Sequence, residues 1–443
     1  MDACRNRIGG NLKLENMKTL PREELLKMRD TLCARYDAVR TLGLRLDMSR
    51  GKPSPEGLDC SLELLDVLGS KSDLHCETGE DVRNYGLFDG IPEVKRLFGE
   101  ILGVPPEQII VGGNSSLNAM YDCVGRALLL GVYGGKQPWV KQGPLKFLCP
   151  VPGYDRHFAI TEQFGFELVS IPMDENGPDM DEVERLVNHD PSVKGIWCVP
   201  KYGNPTGIVY SDETVRRFAR LKPAADDFRI FWDNAYFVHD LYPDRPHTLL
   251  NIFDACKEEG SEDMVYEFMS MSKISFSGGG LSCLAASPNN VAWLRKQMSF
   301  QTLGFDKINQ LRHAHFYKNR ETLLRHMAVL ADILRPKFEA VLRIFDENLS
   351  GTGIAQWTRP EGGYFISVDV LPGCAKRVVA LCKEAGVTLT GAGAAFPYGS
   401  DPQDQNIRIA PTYPSLGDLC QAAELFCLCV RLAAAEKLLE GAV

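Results

Sequence analysis

Residues 229–236 read RIFWDNAY, an apolar run of strand length that ends on a carboxylate, Asp233. Ile230, Phe231 and Trp232 carry that acid to a strand end, where burial is costly unless a partner meets the charge. Runs of the same kind recur outward from it at 109–111, 146–149, 166–171, 195–199, 264–269 and 281–286, separated by helical patterns. This alternation predicts an α/β fold, with a mostly parallel sheet covered by helices in a large domain. Ligands in such sheets lie beyond the carboxyl ends of the strands, which is where Asp233 falls.

On the N-terminal side, Leu25, Met28, Leu32, Tyr36 and Val39 recur at steps of three and four, which predicts a helix beginning near Pro21. Residues 46–55 carry glycine, serine and prolines and read as an exposed loop. On the C-terminal side a helical stretch is expected from about Lys307, striped by Leu323, Met327, Leu330 and Leu334, until Pro336 interrupts the hydrogen-bond ladder as a kink near a domain boundary. Strand-like 363–370, helical 375–385 and a last helix with Leu416, Leu419, Ala423, Phe426 and Val430 on one side then form a small α+β domain. The expected division is 1–60 for an N-terminal arm and a segment of the small domain, 61–335 for the large domain, and 336–443 for the small C-terminal domain.

A chain of 443 residues with 44% apolar content can bury a large core. Its net charge of −9 argues against a surface built to hold nucleic acid or an anionic membrane, and favours small-molecule chemistry. Residues 1–18 lack the apolar core of a secretory signal and no apolar run approaches bilayer length, so a cytoplasmic location is expected. The 14 cysteines are scattered singly, with Cys149, Cys198 and Cys283 inside apolar runs, and read as reduced core thiols. Cys427 and Cys429 lack companions at metal-ligand spacing and read as helix packing, so no metal is expected.

Two further stretches close strand-like runs, YGNPTG at 202–207 and SMSK at 270–273. With Asp233 they supply the chemical roles of a pyridoxal phosphate site. Lys273 can condense with the cofactor aldehyde as a Schiff base and, once released, shuttle a proton at the substrate α-carbon. Asp233 can hold the ring nitrogen protonated; at ~4 Å and an effective dielectric of about 20 the attraction is roughly 4 kcal/mol before desolvation. Asn204 and Tyr236 can donate to the phenolic oxygen. Ser115 and Ser116, in GGNSS between a strand and a helix, can take the phosphate at the helix N-terminus. A simple N-cap asks for the same residues. Ser270 can add a hydroxyl or merely end its strand. Tyr154 can stack on the ring while His157 supports Asp233, or both can be ordinary aromatics of core and loop. Arg408, in the apolar context NIRIAP, calls for a carboxylate from substrate or from protein.

With these positions assembled, the chain resembles the class I and II aminotransferases, fold type I enzymes that use pyridoxal phosphate. The match is to an atypical branch that includes bacterial aspartate aminotransferases. The resemblance rests on Asn204 in NPTG, Asp233 and Tyr236 in DNAY, Lys273 in SxSK, Arg408 near the end, and Tyr85 in NYGLFDGIPEVK. It implies a large cofactor domain, a small domain made from both chain ends, and a homodimer with active sites at the subunit interface. In that arrangement Tyr85 reaches the neighbour's cofactor phosphate and Gly51 lies over the substrate. One position departs from the pattern. The family's phosphate-binding arginine, eight residues after the lysine, is Leu281 here, and Ser275 or Ser277 with the helix N-terminus are the expected substitutes.

If Arg408 clamps the α-carboxylate near the ring plane, the α carbon–hydrogen bond stands perpendicular to the ring and breaks, because its electrons overlap the π-system. The expected reaction is transamination from an amino acid to a 2-oxo acid, best matched by aspartate and 2-oxoglutarate. Lys307 and Arg50 are the candidates for the distal carboxylate. A pyridoxal phosphate lyase, such as a carbon–sulfur β-lyase, would share nearly every residue named. A ligand-sensing regulator on the same fold would need a basic DNA-binding extension, for which the N-terminal segment is too short.

Overall fold

The structure is a computed structural model that describes residues 14–441. The reading of the chain's start falls on residues 1–13 for the most part and lies outside the described residues. The described chain forms thirteen strands: β1 Leu46–Asp47, β2 Ile109–Gly112, β3 Lys146–Val151, β4 Glu167–Asp174, β5 Gly177–Pro178, β6 Val193–Cys198, β7 Arg229–Asp233, β8 Val265–Ser270, β9 Ser282–Ala286, β10 Ala355–Trp357, β11 Ile366–Val370, β12 Val387–Thr388 and β13 Asn406–Ile409. Eight of them make one sheet in the order β2-β9-β8-β7-β6-β3-β4-β5. The pairs β8–β7, β7–β6, β6–β3 and β3–β4 are parallel, while β9 runs antiparallel to both its neighbours.

Every residue of β6, β7 and β8 is buried, so these strands are mostly apolar, with Lys194, Arg229, Asp233 and Glu267 as buried charged exceptions. Alternate side chains enter two layers. Ile196, Ile230, Trp232 and Met269 pack into one cluster, and Trp197, Phe231, Phe268 and Leu284 into the opposite one. A third cluster gathers the helices Arg22–Arg40 and Leu416–Glu440 around the antiparallel sheet β10-β11-β13.

Four expectations need correction. Residues 46–55 are an exposed loop only in part. β1 pairs in parallel with β12, and Met48 and Ser54 are buried, because the segment is drawn under the third cluster. The helical stretch from Lys307 is two helices, Lys307–Tyr317 and Arg320–Leu349. Pro336 does not end the second one. Its missing hydrogen bond is outweighed by burial along the turns that follow, where Phe338, Val341, Ile344 and Phe345 are all core. The last helix is buried on nearly its whole circumference from Leu419 to Ala435, since it lies in the middle of the third cluster.

Twelve of the described cysteines are free, among them buried Cys149, Cys198, Cys283, Cys427 and Cys429. Cys420 departs from the reduced-thiol expectation and is disulfide-bonded. Among the described residues, no helix is long and apolar enough to cross a membrane, and no cluster of histidine, cysteine and carboxylate side chains could hold a metal ion.

Candidate active site

Four strands of the large sheet discharge their C-terminal ends toward one place. Ser115 follows β2, Asn204 follows β6, Asp233 closes β7, and β8 closes on Ser270, three residues before Lys273. Arg408 comes from β13 of the small sheet, where it is registered opposite Ser367. A cavity of about 670 Å³, walled by Arg50, Gly51, Asn204, Tyr236, Lys273 and Arg408, opens between the sheets. A second cavity of about 300 Å³ adjoins it and is lined by Ser115, Ser116, Asp233, Ser270, Ser272 and Ser277; Gly51, Tyr154, Asn204, Tyr236 and Lys273 border both.

Asp233 is 2% exposed and is held from one side only. His157 Nε2 lies 3.0 Å from its Oδ2, and the His157 ring stacks on Trp197 with centroids 4.5 Å apart and planes 13° from parallel. The Trp197 indole in turn donates to Thr161 Oγ1 at 3.3 Å. Asp233 Oδ1 is buried with no partner, a deficit that a protonated ring nitrogen would satisfy. The donor set therefore fits pyridoxal phosphate.

Lys273 Nζ stands 4.9 Å from the centre of the Tyr236 ring. Burial lowers the pKa of this amine below its ordinary value, with Asp233 pulling it partly back. Its backbone is pinned, since its carbonyl accepts from Tyr364 Oη at 3.4 Å and lies 3.3 Å from His239 Nε2. Burial, reinforced by the Lys273 charge, pushes His239 down to about 3, so that ring stays neutral. Burial also drives the Tyr236 phenol well above its ordinary pKa and Tyr154 up to about 12, which keeps both hydroxyls protonated. The Tyr154 ring meets His157 edge-on at 4.9 Å.

Arg408 has a protein carboxylate as its partner. Its Nη1 donates to Asp155 Oδ1 at 2.9 Å and to Asn204 Oδ1 at 3.2 Å, Nη2 donates to Thr390 Oγ1 at 3.4 Å, and buried Nε has no acceptor. The bond taken by the Asn204 oxygen leaves its amide NH₂ free to donate into the cavity. Phe365 lies under the Arg408 guanidinium at 5.0 Å. Gly51 touches the far side of this arrangement, and a β-carbon there would stand 2.3 Å from Phe365 Cζ.

Some expected residues stand elsewhere. Ser115 does cap the helix Ser116–Leu130, its Oγ accepting from Leu117 N at 3.3 Å, and it still faces the smaller cavity. Ser275 is no phosphate ligand: it is buried away from both cavities, 2.9 Å from His313 Nε2, because its helical turn points it into the large core. Ser277 is on the wall, with Ser272 beside it. Leu281 is core, 2% exposed. Lys307 is buried off the cavity wall of its own chain, near Gly304; Arg50 is on the wall. Tyr85 is 79% exposed and borders neither cavity of its own chain. Sequence reasoning missed Asp155, Arg156, Ser272, Thr390 and Trp197. The available signal was the run YDRH at 154–157, whose neighbours Tyr154 and His157 were already singled out.

Comparison with known proteins agrees with this geometry. The family model described as aspartate amino-transferase matches residues 20–441. An aspartate aminotransferase of Corynebacterium glutamicum is 45% identical over 402 residues, 91% of this chain and 92% of that protein. The crystal structure of an aspartate transaminase from the same species is similar with a TM-score of 0.93 at 43% identity, covering 96% of this chain and 100% of that one. An α-aminoadipate aminotransferase of Thermus thermophilus, complexed with N-(5'-phosphopyridoxyl)-L-leucine, shares the fold at a TM-score of 0.69 and 20% identity, over 96% of this chain and 97% of that one.

Proposed function

We propose, from the premise that this chain belongs to the aspartate amino-transferase family, that it moves the amino group of aspartate to 2-oxoglutarate. The chain is an aminotransferase, and its cofactor is pyridoxal phosphate. The observation that carries the reading is the meeting of three incomplete groups at one cavity: Lys273 with a depressed pKa, Asp233 with an unpartnered Oδ1, and Arg408 with an unpartnered Nε.

Bound pyridoxal phosphate supplies an electron sink for the pair left at the substrate α-carbon when a bond there breaks. Asp233 holds the ring nitrogen's proton through Oδ1, and His157 fixes Oδ2 so that the carboxylate cannot turn away. Tyr236 and the Asn204 amide donate to the phenolic oxygen. Ser115, Ser116, Ser270, Ser272 and Ser277 line the smaller cavity and would hold the phosphate, with no charge supplied by Leu281. Arg408 orients the substrate through its α-carboxylate. Lys273 Nζ would hold the cofactor and, once released, would take the proton from the substrate α-carbon, a role that the lowering of its pKa by burial favours. Its buried position supports this role, since an amine that stayed charged could accept no proton.

The 79% exposed Tyr85, with Phe300 at 88% and Leu303 at 64%, supports a surface covered by a second copy, with Tyr85 reaching that copy's phosphate. Among the described residues twelve cysteines are free against one, Cys420, in a disulfide, a balance that favours a reducing compartment such as the cytoplasm. The test is product analysis of the cofactor-loaded protein. Oxaloacetate and glutamate should form in equal amounts from aspartate, and only with 2-oxoglutarate present. Pyruvate and ammonia released from a cysteine conjugate without any oxo-acid acceptor would overturn this in favour of a β-lyase.

A further inference from the structure

We infer that Arg156 grips the distal carboxylate of a dicarboxylic amino acid, and so sets the substrate class of this cavity. The inference rests on the aminotransferase reading with Arg408 at the α-carboxylate. A four- or five-carbon diacid held there carries its second charge only a few bonds away, inside the same cavity. Among the described residues the cations on that wall are Arg50, Arg156, Lys273 and Arg408. Lys273 serves the cofactor and the α-carbon, and Arg408 already engages Asp155 and Asn204. The side chains of Arg50 and Arg156 have no hydrogen bond or ion pair among the described residues.

Two features separate Arg156 from Arg50. Arg156 is the second residue of the helix Asp155–Gln163, set between Asp155, which bonds Arg408, and His157, which bonds Asp233. Its backbone is thus tied in register to the carboxylate clamp on one side and to the ring-nitrogen acid on the other, whereas Arg50 sits in the irregular segment after β1. A cation in the first turn of a helix also opposes the positive end of the macrodipole, so Arg156 gains nothing from its own helix. A bound carboxylate relieves that repulsion and fits the guanidinium fork in a two-bond geometry. The Arg156 side chain is exposed at the rim of that wall, and its charge, after that of Arg408, counters the rise that burial imposes on the Tyr154 phenol.

The experiment compares wild-type holoenzyme with Arg156→Gln, Arg156→Lys, Arg50→Gln and Arg408→Gln. It measures kcat/KM for aspartate and for alanine, and binding of succinate and of propionate by calorimetry. Losing a charge-assisted pair should lower kcat/KM for aspartate about 100-fold in Arg156→Gln, through KM, and weaken succinate to a similar degree. Alanine and propionate should change less than about threefold, and Arg156→Lys should recover part of the loss. Arg408→Gln should harm diacid and monoacid alike; if it harms neither, the underlying reading of Arg408 fails. If Arg408→Gln behaves as expected but Arg156→Gln spares aspartate and succinate, or Arg50→Gln alone gives the selective loss, the assignment of Arg156 is overturned. Wild-type indifference to the distal carboxylate would overturn it together with the choice of aspartate.

Discussion

Gly51 is where a single missing β-carbon shapes the substrate cavity. A methyl group there would meet the Phe365 ring at 2.3 Å, and Phe365 is the platform under Arg408. Gly51→Ala should therefore raise KM for the amino acid roughly tenfold or more, read from steady-state kinetics at saturating cofactor. Glu267 gives a second prediction. It is buried behind the site, accepts a hydrogen bond from Asn234 Nδ2, and has an unpartnered Oε2; burial raises its pKa to about 8, with Asn234 pulling back. The folded state then keeps a proton that the unfolded chain loses above its ordinary value of 4.5. Stability from this group is complete at low pH and declines as pH rises toward 8. Glu267→Gln should flatten that decline and stabilise the protein at pH 8 relative to pH 5 by on the order of 1 kcal/mol or more, measured by chemical denaturation at both pH values. Asp233 and Lys273 were legible in the sequence because apolar runs deliver them to strand ends. Asp155 and Arg156 were not, since their meaning depends on Arg408, which arrives from a strand some 250 positions later.

At the scale of elements, the interruption between the helices Lys307–Tyr317 and Arg320–Leu349 is a γ-turn. Lys318 has φ +59° and ψ −52°, and Asn319 N donates across it to Tyr317 O at 2.6 Å. The next helix then starts on Asn319, whose side chain accepts from Thr322 N at 2.9 Å. Lys318→Gly should stabilise the protein by about 1 kcal/mol by relieving a conformation that a β-carbon resists. Asn319→Ala should cost about 1 kcal/mol by removing the cap, and paired denaturation curves would check both. Seven of the eight strands of the large sheet were readable to within about three residues because their apolar runs are bounded by glycine, proline and polar residues, whereas the two-residue β5 was not read. This turn was not, because an ordinary lysine occupies it. Pro336 lies inside the long helix, just after the point where its packing passes from the large core to the small one, and breaks one hydrogen bond of a helix that tertiary packing holds on both sides.

Across the whole molecule, the cavity lies where two cores meet. Leu323, Met327 and Leu330 of the long helix pack with the large sheet, whereas Leu334, Phe338 and Val341 of the same helix pack with the small one. One continuous rod thus fixes β13, and with it Arg408, against the strand ends that carry Asn204, Asp233 and Lys273. The α/β class and the aminotransferase family follow from the order of motifs along the chain, but the juxtaposition of Arg408 with Asp155 required the two sheets in place. The most direct measurement is borohydride reduction of the cofactor-loaded protein, followed by peptide mass mapping. The account predicts that the cofactor's mass is fixed on the peptide containing Lys273, and that Lys273→Ala abolishes it. Fixation on another lysine with the peptide of Lys273 unmodified would contradict it.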